Sequence, residues 1–254
     1  MKKKNTLLLF LCLFSLWAVA QEKKPVKIAC AGNSITYGSG IKNQFQNSYP
    51  GLLSQLLGEG YDVRNFGISA RVLLNKGDHP YMHEQKFRDL LAFQPDIVTI
   101  KLGTNDSKPW NWRYGKDFRK DLTEMLDILQ ELPSKPKIYL CLPVPAVKRN
   151  FGINDSVITN DIIPVIRSVA KKRHLPVIDL YALLKPYPDY YTDGIHPNEQ
   201  GAALIAGELY RTLTGNEAPA IVTDQPFPGK KSQWEGFDRY DFICNTRRAI
   251  VVVP

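Results

Sequence analysis

Val26-Lys27-Ile28-Ala29-Cys30-Ala31-Gly32-Asn33-Ser34-Ile35-Thr36 is a short apolar run that stops at a glycine and opens onto polar residues. An apolar segment of this length, 26–31, bounded by turn formers, reads as a strand covered on both faces. Four similar runs follow at 61–66, 96–102, 137–142 and 175–180, each bounded by Gly, Pro or Asn. Stretches of helical period separate and follow them, at 50–57, 81–92, 116–132, 156–172 and 198–213. In the third, Phe118, Leu122, Met125, Leu126 and Leu129 recur on one face. Strands alternating with helices predict an α/β chain with a parallel sheet covered on both sides.

In such a sheet, ligands bind beyond the carboxyl ends of the strands. Ser34 follows the first strand. Gly67, in Asn65-Phe66-Gly67, follows the second, and Asn105, in Gly103-Thr104-Asn105-Asp106, follows the third. A fourth polar segment, Asp193-Gly194-Ile195-His196-Pro197, precedes the last helix. A serine hydroxyl is a poor nucleophile until a base takes its proton, and His196 is the best candidate. His174 ends a basic helix, and His79 and His83 lie in a polar stretch without a paired acid. Asp193, three residues before His196, can hold the imidazole in one tautomer. The Gly67 N–H and the Asn105 amide are candidate donors to an oxyanion. Taken singly, each segment also fits ordinary turn chemistry: an Asn bonded to its own backbone, a turn glycine, a turn into a helix capped at Asn198. Ordinary turns do not predict that three segments so far apart in sequence converge on one sheet edge. The set predicts acyl transfer through a serine. Thr36 stands where a Gly-x-Ser-x-Gly elbow would need its last glycine, so that elbow is not the pattern here.

Gly32-Asn33-Ser34, Asn65-Phe66-Gly67, Gly103-Thr104-Asn105-Asp106 and Asp193-Gly194-Ile195-His196 resemble, in order and spacing, the four blocks of the SGNH hydrolases, the GDSL esterase and lipase family. The resemblance covers 27–214. It implies a flavodoxin-like three-layer α/β/α sandwich with a five-stranded parallel sheet. It also implies Ser34 as nucleophile, His196 as base, Asp193 as its orienting acid, and an oxyanion hole from the Ser34 N–H, the Gly67 N–H and the Asn105 side chain. One departure is Asn33, where the first block commonly has Asp; local hydrogen bonding is what this changes.

After Asn105 the loop reads Ser107-Lys108-Pro109-Trp110-Asn111-Trp112-Arg113-Tyr114. Trp110 and Trp112 are candidate contacts to a sugar ring, with packing beneath the loop as the alternative. Together with a resemblance to exported carbohydrate-active members, this leads to an expected serine esterase that removes short acyl groups, O-acetyl above all, from glycans. A lipase, lysophospholipase or thioesterase on the same machinery is the alternative. A glycan-binding module without turnover has no need to keep Ser34, Asn105, Asp193 and His196. No cofactor is expected, and no Cys-x-x-Cys or His-rich spacing suggests a metal.

The ends of the chain read differently. Lys2, Lys3 and Lys4, an apolar stretch at 7–19 and Ala18-Val19-Ala20 before Gln21 make 1–20 a secretory leader, shorter in its apolar part than the ~20 residues of a membrane span. Export to a periplasm or beyond is expected, with no stable membrane insertion after cleavage. Cys12 lies between Leu11 and Leu13, an unsuitable setting for lipid attachment. Loss of the three lysines lowers the net charge from +8 to +5. The remaining excess is scattered, as in Lys171-Lys172 and Arg247-Arg248, which argues against nucleic-acid binding. Cys30, Cys141 and Cys244 are an odd number, and the first two stand in strand-like runs as small buried hydrophobes. The expected division is a hydrolase domain at 21–214, a linker at 215–231 and a tail at 232–254. That tail reads as a hairpin of strands at 240–244 and 249–253 turning at Asn245-Thr246, or as the start of a second domain missing from this sequence. Trp234-Glu235-Gly236-Phe237-Asp238-Arg239-Tyr240-Asp241-Phe242 resembles the lead-in to a second hydrolase domain.

Overall fold

Ile28, Ala29, Cys30 and Ala31 have no exposed surface on either side, so the strand that opens the fold lies in the interior of a covered sheet. The protein is described here by a computed structural model covering residues 24–222 and 250–251. The expected leader lies outside the described residues. The main sheet has five parallel strands, β1 (Val26–Gly32), β2 (Tyr61–Gly67), β3 (Ile97–Lys101), β4 (Lys137–Cys141) and β5 (Val177–Ile178), in the order β2-β1-β3-β4-β5. The helices are α1 (Ser34–Tyr37), α2 (Gln44–Asn47), α3 (Tyr49–Leu57), α4 (Gln85–Phe93), α5 (Pro109–Trp112), α6 (Phe118–Gln130), α7 (Asp155–Val157), α8 (Ile163–Arg173), α9 (Leu180–Leu184) and α10 (Glu199–Thr214).

Strand alternation sorts the side chains into two cores. Ala29, Ala31, Val98, Ile100, Ile138 and Leu140 pack under α4, α6 and α8. Ile28, Cys30, Val63, Tyr139, Cys141 and Ile178 pack under α3, α9 and α10. The result is the expected three-layer α/β/α sandwich. Cys30 and Cys141 are free thiols, and burial pushes the Cys30 thiol up to about 12.

Several boundaries differ from expectation. The helix expected at 81–92 is a 3-10 turn (Tyr81–His83), an extended Glu84 and then α4. The one expected at 156–172 divides into α7, a π turn (Ile158–Ile162) and α8. Pro164 has no N–H to offer the preceding turn, and the wider turn absorbs the missing bond. β5 stops at Ile178 because the Asp179 side chain accepts the Ala182 N–H at 2.9 Å and starts α9. Within the expected linker, β6 (Ile221–Val222) pairs antiparallel with β7 (Ile250–Val251). The other strand of the expected tail hairpin, 240–244, lies outside the described residues.

The ends of the neighbouring strands β2, β1 and β3 are level, Gly32 standing opposite both Gly67 and Lys101. β2 is laid down on one side of β1 and β3 on the other, so the order of strand addition reverses at β1, the switch point at which such sheets open a crevice. Ser34 and Asn105 lie on its two banks.

Candidate active site

The strand-to-helix step at Ser34 is built by its neighbour. Asn33 is extended, and its Oδ1 accepts the Ile35 N–H at 3.1 Å, capping α1 so that Ser34 is the first helical residue. Ser34 Oγ lies 2.8 Å from His196 Nε2, although 162 residues separate the two. His196 Nδ1 lies 2.7 Å from Asp193 Oδ2. The other carboxylate oxygen, Asp193 Oδ1, accepts the N–H groups of Ile195 and His196 at 2.9 and 2.8 Å, so one turn fixes both acid and ring. Partial burial pushes the Asp193 carboxyl up, but the hydrogen bonds from the imidazole and from those two N–H groups outweigh it and hold it below the usual range. An ionised Asp193 then keeps the proton on Nδ1 and leaves Nε2 to accept from Ser34. Such a line of hydroxyl, imidazole and carboxylate can draw off the hydroxyl proton as the oxygen attacks. The helix after it begins as expected, the Asn198 side chain accepting from the N–H groups of Gln200 and Gly201.

Asn105 occupies the opposite bank of the crevice. Its Nδ2 donates to the Arg71 carbonyl at 3.1 Å, and its own carbonyl accepts from Asn111 Nδ2 at 3.0 Å. A carboxamide nitrogen has two hydrogens, so one remains for a further acceptor. Asp106 Oδ1 accepts the N–H groups of Leu73 and Leu74 at 2.8 and 2.9 Å, fastening the segment after β2 to this loop.

Gly67 departs from expectation. Its N–H donates to Asn65 Oδ1 at 2.9 Å and is not presented to a substrate oxygen. The glycine answers to packing: a Cβ there would stand 2.3 Å from the Tyr37 backbone nitrogen, so α1 closes on β2 only because none is present. Asn65 completes that joint, its Nδ2 donating to the Thr36 carbonyl at 2.7 Å. Three residues on, Ala70 has a left-handed backbone (φ 66°) and lies beside the Arg71 carbonyl that holds Asn105. Among the described residues, the N–H groups of Ser34 and Ala70 have no hydrogen-bond partner. An alanine offers no sequence cue to a left-handed turn, so Ala70 was not foreseen.

The two tryptophans separate. Trp110 is exposed and donates its indole N–H to Asp78 Oδ2 at 3.0 Å. Trp112 is half-buried and packs on Phe118, ring centroids 5.7 Å apart, as a structural residue. Phe151, not among the expected residues, has its ring 5.8 Å from that of His196. Lys101, the one charged residue of β3, is fully buried and donates to Asn33 Oδ1 and Thr104 Oγ1, both at 3.2 Å.

Comparison with known proteins agrees with this geometry. Over 205 residues the chain is 49% identical to an acetylxylan esterase of Xylanibacter ruminicola, a match covering 74% of this chain and 43% of that protein. The chain thus spans less than half the length of that relative. It is 24% identical to a rhamnogalacturonan acetylesterase of Bacillus subtilis, over 72% of this chain and 88% of that one. Among solved structures, an aryl esterase of M. smegmatis superposes with a TM-score of 0.61 at 22% identity, covering 75% of this chain and 99% of that one, and so shares the fold. The family model described as GDSL-like lipase/acylhydrolase matches residues 30–204, a span that takes in Ser34, Asn105, Asp193 and His196 together with all five strands from Cys30 onward, and the chain belongs to that family.

Proposed function

We propose that this chain is a serine-dependent carboxylic ester hydrolase that releases acetyl groups from glycans through an acyl-serine intermediate. The observation that carries the reaction is the unbroken line from Ser34 Oγ to His196 Nε2, at 2.8 Å, and from His196 Nδ1 to Asp193, at 2.7 Å. Ser34 Oγ attacks the ester carbonyl as its proton passes to His196, and Asp193 stabilises the imidazolium. Negative charge grows on the carbonyl oxygen, where the Ser34 N–H, the Ala70 N–H and the spare hydrogen of Asn105 Nδ2 receive it. The imidazolium then protonates the departing alcohol oxygen. Water, deprotonated by His196, attacks the acyl carbon and returns Ser34 with release of acetate.

The glycan assignment is supported by the two relatives, one an acetylxylan esterase and the other a rhamnogalacturonan acetylesterase. The proposal includes export, with 1–20 removed as a leader, and a catalytic unit at 21–214 followed by a linker at 215–231 and a tail at 232–254. Among the described residues no helix is long and apolar enough to cross a membrane.

The test is a series of ethyl esters, from acetate to octanoate, assayed beside acetylated xylan with wild type and Ser34→Ala. Acetate is expected to be released fastest, and Ser34→Ala to lose on the order of 10⁴-fold or more in kcat with an unchanged circular dichroism spectrum. Octanoate cleaved faster than acetate would make the chain a lipase instead. Near-normal turnover by Ser34→Ala would remove the mechanism.

A further inference from the structure

Two large apolar side chains are exposed among the described residues, Trp110 at 46% and Phe151 at 54%, and they stand at the same place. Gly152 joins them: a Cβ on it would lie 2.6 Å from Trp110 Cη2, so the indole rests directly on the backbone that follows Phe151. The phenylalanine ring in turn lies 5.8 Å from the His196 ring, inclined at 60°. Isolated exposed apolar residues need no explanation, but two adjoining ones at the mouth of a catalytic crevice do.

The backbone here is held in an unfavourable shape. Phe151 has φ 52°, a left-handed conformation that bulky residues rarely adopt, and Gly152 follows at φ 77°. The loop is tied on two sides. Asn150 Oδ1 accepts the Phe151 N–H at 2.9 Å while Asn150 Nδ2 donates to the Asp193 carbonyl at 3.2 Å. The Val147 N–H donates to the Gly194 carbonyl at 2.9 Å, and the Asn154 N–H to Ser107 Oγ at 3.0 Å. The aromatic ring is thus fixed to the loop that carries the imidazole and to the loop that carries Asn105. Strain retained beside a reactive group, with an apolar ring turned outward, points to a ligand that covers the ring.

Which part of the ligand follows from the direction of proton transfer. His196 gives its proton to the departing alcohol, so the alcohol half of the ester lies on the imidazole side of the crevice, away from the oxyanion donors. We propose that Phe151 and Trp110 form a stacking surface for the sugar ring that bears the acetylated hydroxyl. Resting on the ester hydrolysis proposed above, this names the face by which a glycan is recognised. A pyranose ring has a C–H-rich face that suits a flat aromatic, and hydroxyls at its rim that suit charged neighbours. Beside the rings stand Asp78, which accepts the indole N–H, and Lys108, largely buried with its Nζ 5.7 Å from the Trp110 ring. Trp112 takes no part.

The experiment compares Phe151→Ala, Phe151→Tyr and Trp110→Ala with wild type on an acetylated xylo-oligosaccharide and on ethyl acetate, whose alcohol is too small to reach the surface. A nitrophenyl ester is unsuitable, because its aromatic leaving group could itself stack on Phe151. Each alanine variant is expected to lower kcat/KM on the oligosaccharide roughly tenfold, through KM, and to leave ethyl acetate within about twofold. Phe151→Tyr keeps the flat face and is expected to behave as wild type. Equal losses on both substrates from either alanine variant would make that residue a support of the catalytic loop and overturn the proposal. Unchanged oligosaccharide kinetics would overturn it equally. If wild type cleaves ethyl acetate but no acetylated oligosaccharide, the glycan assignment itself fails and the stacking surface falls with it.

Discussion

Lys101 shows how a single residue can join two loops of the candidate site. Its ammonium reaches Asn33, which immediately precedes Ser34, and Thr104, which immediately precedes Asn105. Both acceptors are neutral, and no ion pair to Lys101 occurs among the described residues. Burial therefore pushes its pKa down to about 7, outweighing an opposing influence of the nearby Cys141. An unfolded lysine titrates near 10.4, so between about pH 7 and 10 the unfolded chain binds the extra proton and wild-type stability falls as pH is lowered through that window. Lys101→Met removes the titration. Its urea-unfolding free energy relative to wild type should therefore rise as pH falls from 10 to 7, then stay constant below; a difference independent of pH would show that Lys101 remains charged in the folded state. The loss of both hydrogen bonds should also lower kcat on ethyl acetate, since the distance between Ser34 and Asn105 is no longer fixed from below. The lone lysine was visible in the 96–102 run, but its role was not, because that depends on which loops meet above it.

At the scale of elements, the joint between α1 and β2 decides where the hydroxyl sits. Adding one methyl group in Gly67→Ala would drive it to 2.3 Å from the Tyr37 nitrogen, a backbone atom with no freedom to turn aside. The helix must shift, carrying Ser34 away from His196. A fall in kcat of about 10² or more is expected, together with a destabilisation of about 1–3 kcal/mol from overpacking. Normal kinetics in a folded Gly67→Ala variant would mean that α1 adapts without moving Ser34. The five strands and the long helices were legible in the sequence because each buries a continuous or periodic apolar face, and physics at that range is local. Asp193 and His196 were legible for the same reason, being two groups on one turn. The 144–154 loop was not. It has no periodicity, and Phe151 faces His196 only through bonds to Asp193, Gly194 and Ser107, residues distant in sequence. The break in the helix expected at 156–172 could have been read from Pro164.

Across the whole molecule, the two cores share every strand of the sheet. Ala29 and Cys30 point into different cores from adjacent positions, as do Ile138 and Tyr139. Neither layer of helices can detach without exposing the back of the other's support, so one cooperative transition is expected. Loss of helical circular dichroism and loss of ethyl acetate hydrolysis should coincide in urea. An activity loss at lower urea would show that the turn carrying His196 loosens before the sheet. Parallel strands covered on both sides were readable from the apolar runs, whereas the order β2-β1-β3-β4-β5 was not, since strand order depends on which helix crosses which face.

The span of 162 residues between Ser34 and His196 has a consequence for the birth of the protein. A ribosome delivers the hydroxyl early and the imidazole with its carboxylate late, after all five strands have been made. Throughout that interval the nascent chain presents Ser34 without the base that the proposed mechanism assigns to it, and it is expected neither to cleave an ester nor to hold an acyl group. On the proposed mechanism, chemical competence arrives with the closing turn and the helix behind it, and a polypeptide interrupted anywhere before His196 is expected to be inert.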